Sequence, residues 1–174
     1  RLIYGSCISE LGDPQTGLEI MNEAFNLWTS TGTIITRTFY LALRAQAYAA
    51  AGRAREGLDL VEEAGRIIDQ YGERYYEPEV LRLKGELLLA VSEGRGAIAA
   101  TEAGGIFAQA LDVARELGYR SLGLRIASSI VRWAPQRQRG AAIDTLRTAL
   151  SALQEGYATG DHRLARELLA KADS

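Results

Sequence analysis

The sequence predicts an all-α fold of antiparallel helix pairs stacked in chain order. Three observations predict it: a glycine period, a gap-free internal match, and small residues at fixed places inside the intervening segments. The chain has 18 glycines in 174 residues, many for a helical protein, so their placement has to be explained before helices are drawn. Gly12, Gly32, Gly52 and Gly72 recur every 20 residues, separated by stretches of Ala, Leu, Ile, Glu and Arg with apolar positions at helical spacing. Each reads as a helix stop. Residues 12–32 (GDPQTGLEIMNEAFNLWTSTG) lie on residues 52–72 (GRAREGLDLVEEAGRIIDQYG) without a gap, matching Gly17 to Gly57, Leu18 to Leu58, Glu23 to Glu63 and Ala24 to Ala64. The repeating unit is therefore two helices in 40 residues.

In chain order the helices are expected near 1–11, 15–30, 34–51, 54–70, 75–91, 102–117, 120–133, 138–155 and 161–172. Asp13 before Pro14 reads as an N-cap with proline at the first helical position, where the missing N–H costs nothing. Pro78 suits a first turn, and Pro135 after Trp133 and Ala134 ends a helix. Ser92 to Ala100 (SEGRGAIAA) is the one long irregular connection expected. Residues 1–32, 33–72, 73–118 and 119–156 then form four pairs, with 157–174 as a capping helix, in one helical-repeat domain over 1–174. No stretch alternates as a half-buried strand would.

Small residues sharpen this pattern. On first helices they stand at Gly5, Ala45 and Gly85, spaced by 40; on second helices they come as Gly17 with Ala24, Gly57 with Ala64, Ala103 with Ala110, and Ala142 with Ala149, seven apart. A larger residue lies between the members of each couple, at Met21, Val61, Phe107 and Leu146. Mid-helix glycine costs about 1 kcal/mol relative to alanine, so close helix approach is the physical reason to keep it. This resembles the tetratricopeptide repeat, which needs small residues where its two helices touch. The bulky aromatic and the closing proline of that motif are absent and the helices are longer, so the pattern is tetratricopeptide-like.

A net charge of −2, from 20 Lys+Arg and 22 Asp+Glu, with 47% apolar residues, points away from a disordered chain and from a strongly basic nucleic-acid binder. Cys7 has no second cysteine to pair with, and no apolar run approaches the ~20 residues that cross a bilayer. A cytoplasmic location is expected. The chain opens at Arg1 in what reads as mid-helix, so a piece of a longer protein is expected.

Residues 73–91 (ERYYEPEVLRLKGELLLAV), 107–133 (FAQALDVARELGYRSLGLRIASSIVRW) and 155–169 (EGYATGDHRLARELL) resemble the C-terminal helical-repeat region of large bacterial signalling and transcriptional regulators. In those proteins an ATPase module, often with an adenylate/guanylate cyclase or DNA-binding domain, precedes the repeats. The resemblance covers about the last hundred residues and implies a sensing, protein-interaction or oligomerisation arm. The family's catalytic residues lie outside such arms, so none carries over here. SEGRGAIAATEAGG (92–105) and APQRQRG (134–140) depart from the family pattern.

No candidate chemistry outweighs its structural alternative. Gly94-Arg95-Gly96-Ala97-Ile98-Ala99 formally fits a dinucleotide pattern, but that pattern needs a preceding strand and here a helix precedes it. His162 lacks metal or catalytic partners and reads as a solvated or capping residue; Cys7 reads as a small core residue. Glu62, Glu63, Glu77 and Glu79 read as solubilising carboxylates. Catalytic, metal and cofactor sites are all expected to be absent. Arg120, Arg125, Arg132, Arg137, Arg139 and Arg147 stand against Asp144 alone within 119–150, which could hold an anionic partner, although a solvated face is the plainer reading and no base-reading motif accompanies it.

The binding candidate is a row on the first helices: Gln46, Glu79, Arg82 and Glu86, with Phe39, Ala42 and Ala49 beside it and Tyr75-Tyr76 preceding. Pairing of Glu79 with Arg82 and of Arg82 with Glu86 along one helix is the alternative that needs no ligand. On the exposed-row reading, exchanging the charges of Arg82 and Glu86 costs only tenths of a kcal/mol. The expected partner is a protein or peptide, a neighbouring domain or another copy; the alternative is a small-molecule effector controlling an attached ATPase, cyclase or DNA-binding domain. Neither nucleic acid nor membrane is expected as a partner.

Overall fold

The computed structural model describes residues 1–92 and 96–173. Among these residues the helices are α1 (Leu2–Glu10), α2 (Pro14–Thr29), α3 (Arg37–Ala50), α4 (Ala54–Tyr71), α5 (Glu77–Val91), α6 (Gly96–Glu116), α7 (Arg120–Trp133), α8 (Arg139–Ser151) and α9 (Gly160–Asp173), with 3₁₀ turns at Arg74–Tyr76 and Gln136–Gln138. No described residue is in a strand. The local signals act as read. Asp13 accepts a hydrogen bond from the Thr16 N–H at 3.1 Å, with Pro14 in the first turn of α2. Gly12, Gly32, Gly52 and Gly72 take φ of +106°, +74°, +73° and +68°, which side chains disfavour, so each ends its helix by turning left-handed.

Helices pack as consecutive pairs, α1 with α2, α3 with α4, α5 with α6 and α7 with α8. What brings them together is the absence of side chains at the contact. A Cβ built on Gly5 would stand 2.7 Å from the Gly17 carbonyl oxygen, and one on Gly17 would stand 2.6 Å from the Gly5 carbonyl oxygen. In the next pair a Cβ on Gly57 would meet the Ala45 carbonyl oxygen at 2.9 Å; in the third, one on Gly85 would strike the Phe107 ring at 2.7 Å. Met21, Val61, Phe107 and Leu146, the larger residues between the small ones, are all buried.

First helices also touch along the chain, α1 with α3, α3 with α5, α5 with α7 and α7 with α9, while each second helix packs on the first helix that follows it. One core runs from Leu2 through Leu87 across α1 to α5. A second joins Leu124, Ala127, Val131, Ala142, Leu146 and Ala165 across α7 to α9, and Ala110, Ala114 and Ile126 lie between α6 and α7. The C-terminal helix thus covers apolar surface of the fourth pair, with Leu168 and Leu169 packed on that core.

Three expectations need correction, and a fourth lies partly outside the described residues. The connection before α6 is shorter than expected, because Gly96 to Thr101 is already helical; Ala97, Ala99 and Ala100 favour helix and outweigh the glycine. Gly94 and Arg95 of the glycine-rich pattern lie outside the described residues, and Gly96 to Ala99 form the first turn of α6. Cys7 is exposed, since the inward face of α1 is already taken by Leu2, Gly5, Ser6 and Ser9. His162 is buried rather than solvated, edge-on to Tyr157 with ring centroids 5.5 Å apart. Among the described residues no helix is long and apolar enough to cross a membrane.

These contacts separate two kinds of glycine. Gly85→Leu should lower stability by about 1–3 kcal/mol or more, because the Phe107 ring stands where the new side chain must go. Gly105→Ala, in the middle of α6 with open space around it, should raise stability by about 0.5–1 kcal/mol. Urea midpoints of the two variants measure both, and equal shifts would show that the close approach is not what Gly85 serves.

Candidate functional site

The row of first helices carries a continuous network of charges from α5 to α9. On α5, Glu79, Arg82 and Glu86 follow at three and four residues and so share one helix face. That face meets α7. Arg82 donates two hydrogen bonds to the Glu79 carboxylate, from Nε at 2.9 Å and from Nη2 at 2.8 Å, and its Nη1 lies 2.8 Å from Glu86 Oε2. From α7, Arg125 reaches back to Glu79 Oε1 at 3.2 Å and forward to Asp161 Oδ2 at 2.8 Å on α9. Arg132, two turns further along α7, donates to Glu86. Ser129 sits between them: its hydroxyl donates to the Arg125 carbonyl and accepts from Arg82. Three carboxylates thus meet three guanidinium groups, and the network is electrically balanced.

Burial grades across this network. Glu79 is 1% exposed and Arg82 4%, Glu86 is mostly covered, and Arg125 and Arg132 reach solvent. Burial by itself raises the Glu79 pKa, but the Arg82 and Arg125 charges and their hydrogen bonds outweigh it and hold the carboxyl below its ordinary range. Burial likewise works to lower Arg82, and Glu79 and Glu86 reverse it, so its pKa is raised. Tyr76 is pushed up to about 12, by burial first and by the Glu79 charge second. Its ring lies edge-on to Phe39 at 5.0 Å, which ties the start of this row to α3.

The structure brings Glu79, Arg82 and Glu86 together and places Gln46, half-buried, on neighbouring α3. It does not leave Glu79 and Arg82 open to a ligand: they bind each other. Exchanging Arg82 and Glu86 is therefore no exchange on an exposed helix. It would set a glutamate beside Glu79 in a buried site and take from Ser129 one of its two arginine donors, a cost well above tenths of a kcal/mol. The residues that sequence reasoning missed are Arg125, Ser129, Arg132 and Asp161. Their arginines were visible only as part of a basic segment, which the structure divides, with Arg125 and Arg132 facing carboxylates of α5 and α9 and Arg147 lying 3.4 Å from Asp144.

Other carboxylates are tied too. Glu77 and Glu116 both bind Arg74, which clamps the end of α6 to the turn before α5, and Glu63 binds Arg37 at 2.6 Å. Among the described residues no group of three His, Cys, Asp or Glu side chains is placed to hold a metal ion. No protein-family model, curated protein or solved structure matches the chain.

The Glu79 carboxylate gives the fold an acid dependence. Its folded pKa lies below the unfolded value of about 4.3, so on acidification the unfolded chain takes up the proton first. The contribution is complete above about pH 5 and is lost as pH falls through the folded pKa. Glu79→Gln should cost about 3 kcal/mol at pH 7, the lower end for breaking a buried pair because Glu86 still faces Arg82. It should also flatten the fall in urea midpoint between pH 6 and pH 3. A variant as acid-sensitive as the wild type would show that Glu79 does not carry this dependence.

Proposed function

We propose that the chain is a non-catalytic interaction module, the regulatory repeat arm of a tetratricopeptide-like signalling protein, and that it meets a polypeptide partner on the row of first helices. The observation that supports this is the graded network: a buried, mutually satisfied base of Glu79 and Arg82 under a rim of the mostly covered Glu86 and the solvent-reaching Arg125 and Arg132. A base of this kind fixes the rim in position. Fixed, partly exposed charges suit hydrogen bonding to a peptide backbone or to its side chains, because little rotamer freedom is left to lose on binding. The same row curves inward if first helices touch while second helices pack chiefly on the first helices around them, which is the contact pattern here.

Within this reading Gln46, Glu86, Arg125 and Arg132 touch the partner, and Glu79 and Arg82 hold the rim. Peptides selected by phage display on the wild-type chain test it. Arg132→Ala with Gln46→Ala should weaken the selected ligands tenfold or more, while Arg55→Ala, exposed on α4, should leave them unchanged. Folding should survive, since Glu86 keeps Arg82. Selected ligands indifferent to the first pair of substitutions would move the binding surface elsewhere.

Effector sensing is the second reading, and one observation favours it. Ala100, Gly104 and Ala108 give α6 a side of small residues, which leaves an apolar cleft of about 330 Å³ against Trp133, Pro135 and Ala141. Apolar compounds that raise the melting temperature of the wild type and fail on Gly104→Phe would place an effector there. Compounds that stabilise both alike would not.

A further inference from the structure

A glycine weakens the interior of a helix, and at Gly5, Gly17, Gly57 and Gly85 this fold keeps one where a neighbour leaves no room for a side chain. Gly104, inside α6, has no such neighbour: a Cβ built there meets nothing within 4 Å. The couples of small residues identify its counterparts. Ala103 corresponds to Gly17, Gly57 and Ala142, so Gly104 stands where α2, α4 and α8 carry Leu18, Leu58 and Ile143. Leu18 is 1% exposed and Leu58 6%, both in the core, and Ile143 is half-buried. The third pair thus lacks an aliphatic side chain that the other three possess.

The room this leaves belongs to the apolar cleft of about 330 Å³. Its walls are α6 and α8, which pack on α7 rather than on each other, and Phe107, Ile130 and Trp133 give it an apolar lining. Along α6 the cleft runs from Ala100 to Leu111, about 16 Å at the helical rise. Its two ends differ in charge. At the Ala100 end a second volume of about 330 Å³ adjoins it, with Ala100, Pro135 and Gln138 lining both and Arg137 lining the second. Arg137 is exposed in the turn before α8, and among the described residues no carboxylate pairs with it: Glu86 binds Arg132, Asp144 binds Arg147, and Glu102 of α6 lines neither volume. Towards the Leu111 end the charges cancel, Arg115 against Asp112 and Arg147 against Asp144.

On the effector-sensing reading of this cleft, on which the assignment rests, we propose that the ligand is an unbranched aliphatic carboxylate. Its tail lies along α6 over Gly104, and the Arg137 guanidinium donates hydrogen bonds to its carboxylate. Each half of such a molecule meets what suits it. The tail leaves water for an elongated apolar wall, and the carboxylate finds a planar cation whose paired N–H groups match its two oxygens. A neutral apolar molecule would gain only the first, and a cationic one would meet Arg137 as a like charge.

Decanoate and 1-decanol, which share a tail and differ in the head, are the probes, with equilibrium dialysis as the measurement. Decanoate should bind the wild type more tightly than decanol. Arg137→Gln should weaken decanoate about fivefold or more and leave decanol unchanged. Gly104→Leu, which supplies the side chain of the other pairs, should abolish binding of both without lowering the melting temperature of the unliganded chain. Saturating decanoate should raise the melting temperature of the wild type and not that of Gly104→Leu. Equal binding of the two probes, lost together in Gly104→Leu, would overturn the carboxylate and leave the effector reading standing. Decanoate that fails to bind the wild type would also overturn the proposal, while the effector reading keeps its own test in the apolar compounds that Gly104→Phe should block. Decanoate binding that survives Gly104→Leu would place the ligand elsewhere, and a wild-type dimer turned to monomer by Gly104→Leu in light scattering would make a second copy the occupant. Either result overturns the proposal.

Discussion

Backbone meets backbone in this fold, and the rest follows from that contact. Where Gly5 faces Gly17, and where Ala45 faces Gly57, carbonyl oxygens stand closer than a side chain permits, so the two helices of a pair are held as a unit at a fixed distance. A pair so formed has one first helix and one second helix in a set relation. Successive pairs must then place first helix beside first helix. That placement brings α5, α7 and α9 near enough for side chains of opposite charge to span them.

The charged network is the costly part of the design. Removing Glu79 and Arg82 from water is unfavourable, and their mutual attraction offsets it only because each also has a further partner, Arg125 for Glu79 and Glu86 for Arg82. Apolar residues in the same places would hold α5 to α7 without that cost. What charges add is register: with Arg125 held to Glu79, Arg132 to Glu86 and Arg82 to Ser129 across the two helices at once, little sliding of α7 along α5 is tolerated. The rim residues above it are then presented in one arrangement.

Two surfaces of different chemistry result. The α5–α7 rim is polar and fixed from beneath; the outer face of α1 is apolar. The apolar cleft beside Trp133 is a third feature and arises from the same economy of side chains, since the small residues of α6 leave room that α8 does not fill.

The sequence alone determined what is local. Glycine period, N-cap, proline position and the couples of small residues are signals read within one turn or one repeat, and they set pairing, the close contacts at Gly5, Gly57 and Gly85, and most helix limits, the start of α6 and the end of α8 excepted. The row of Glu79, Arg82 and Glu86 was visible as a helix face, as was the possibility that they bind one another. Tertiary structure decided how deeply they are buried and which arginines reach them. Arg125 and Arg132 lie more than forty residues away, and nothing in their own neighbourhood separates them from Arg137 or Arg139. The exposure of Cys7 was likewise invisible, because a small apolar residue on an apolar helix carries no mark of which side it faces. Burial belongs to the space between helices, and spacing along one helix cannot report which neighbour will come to fill it.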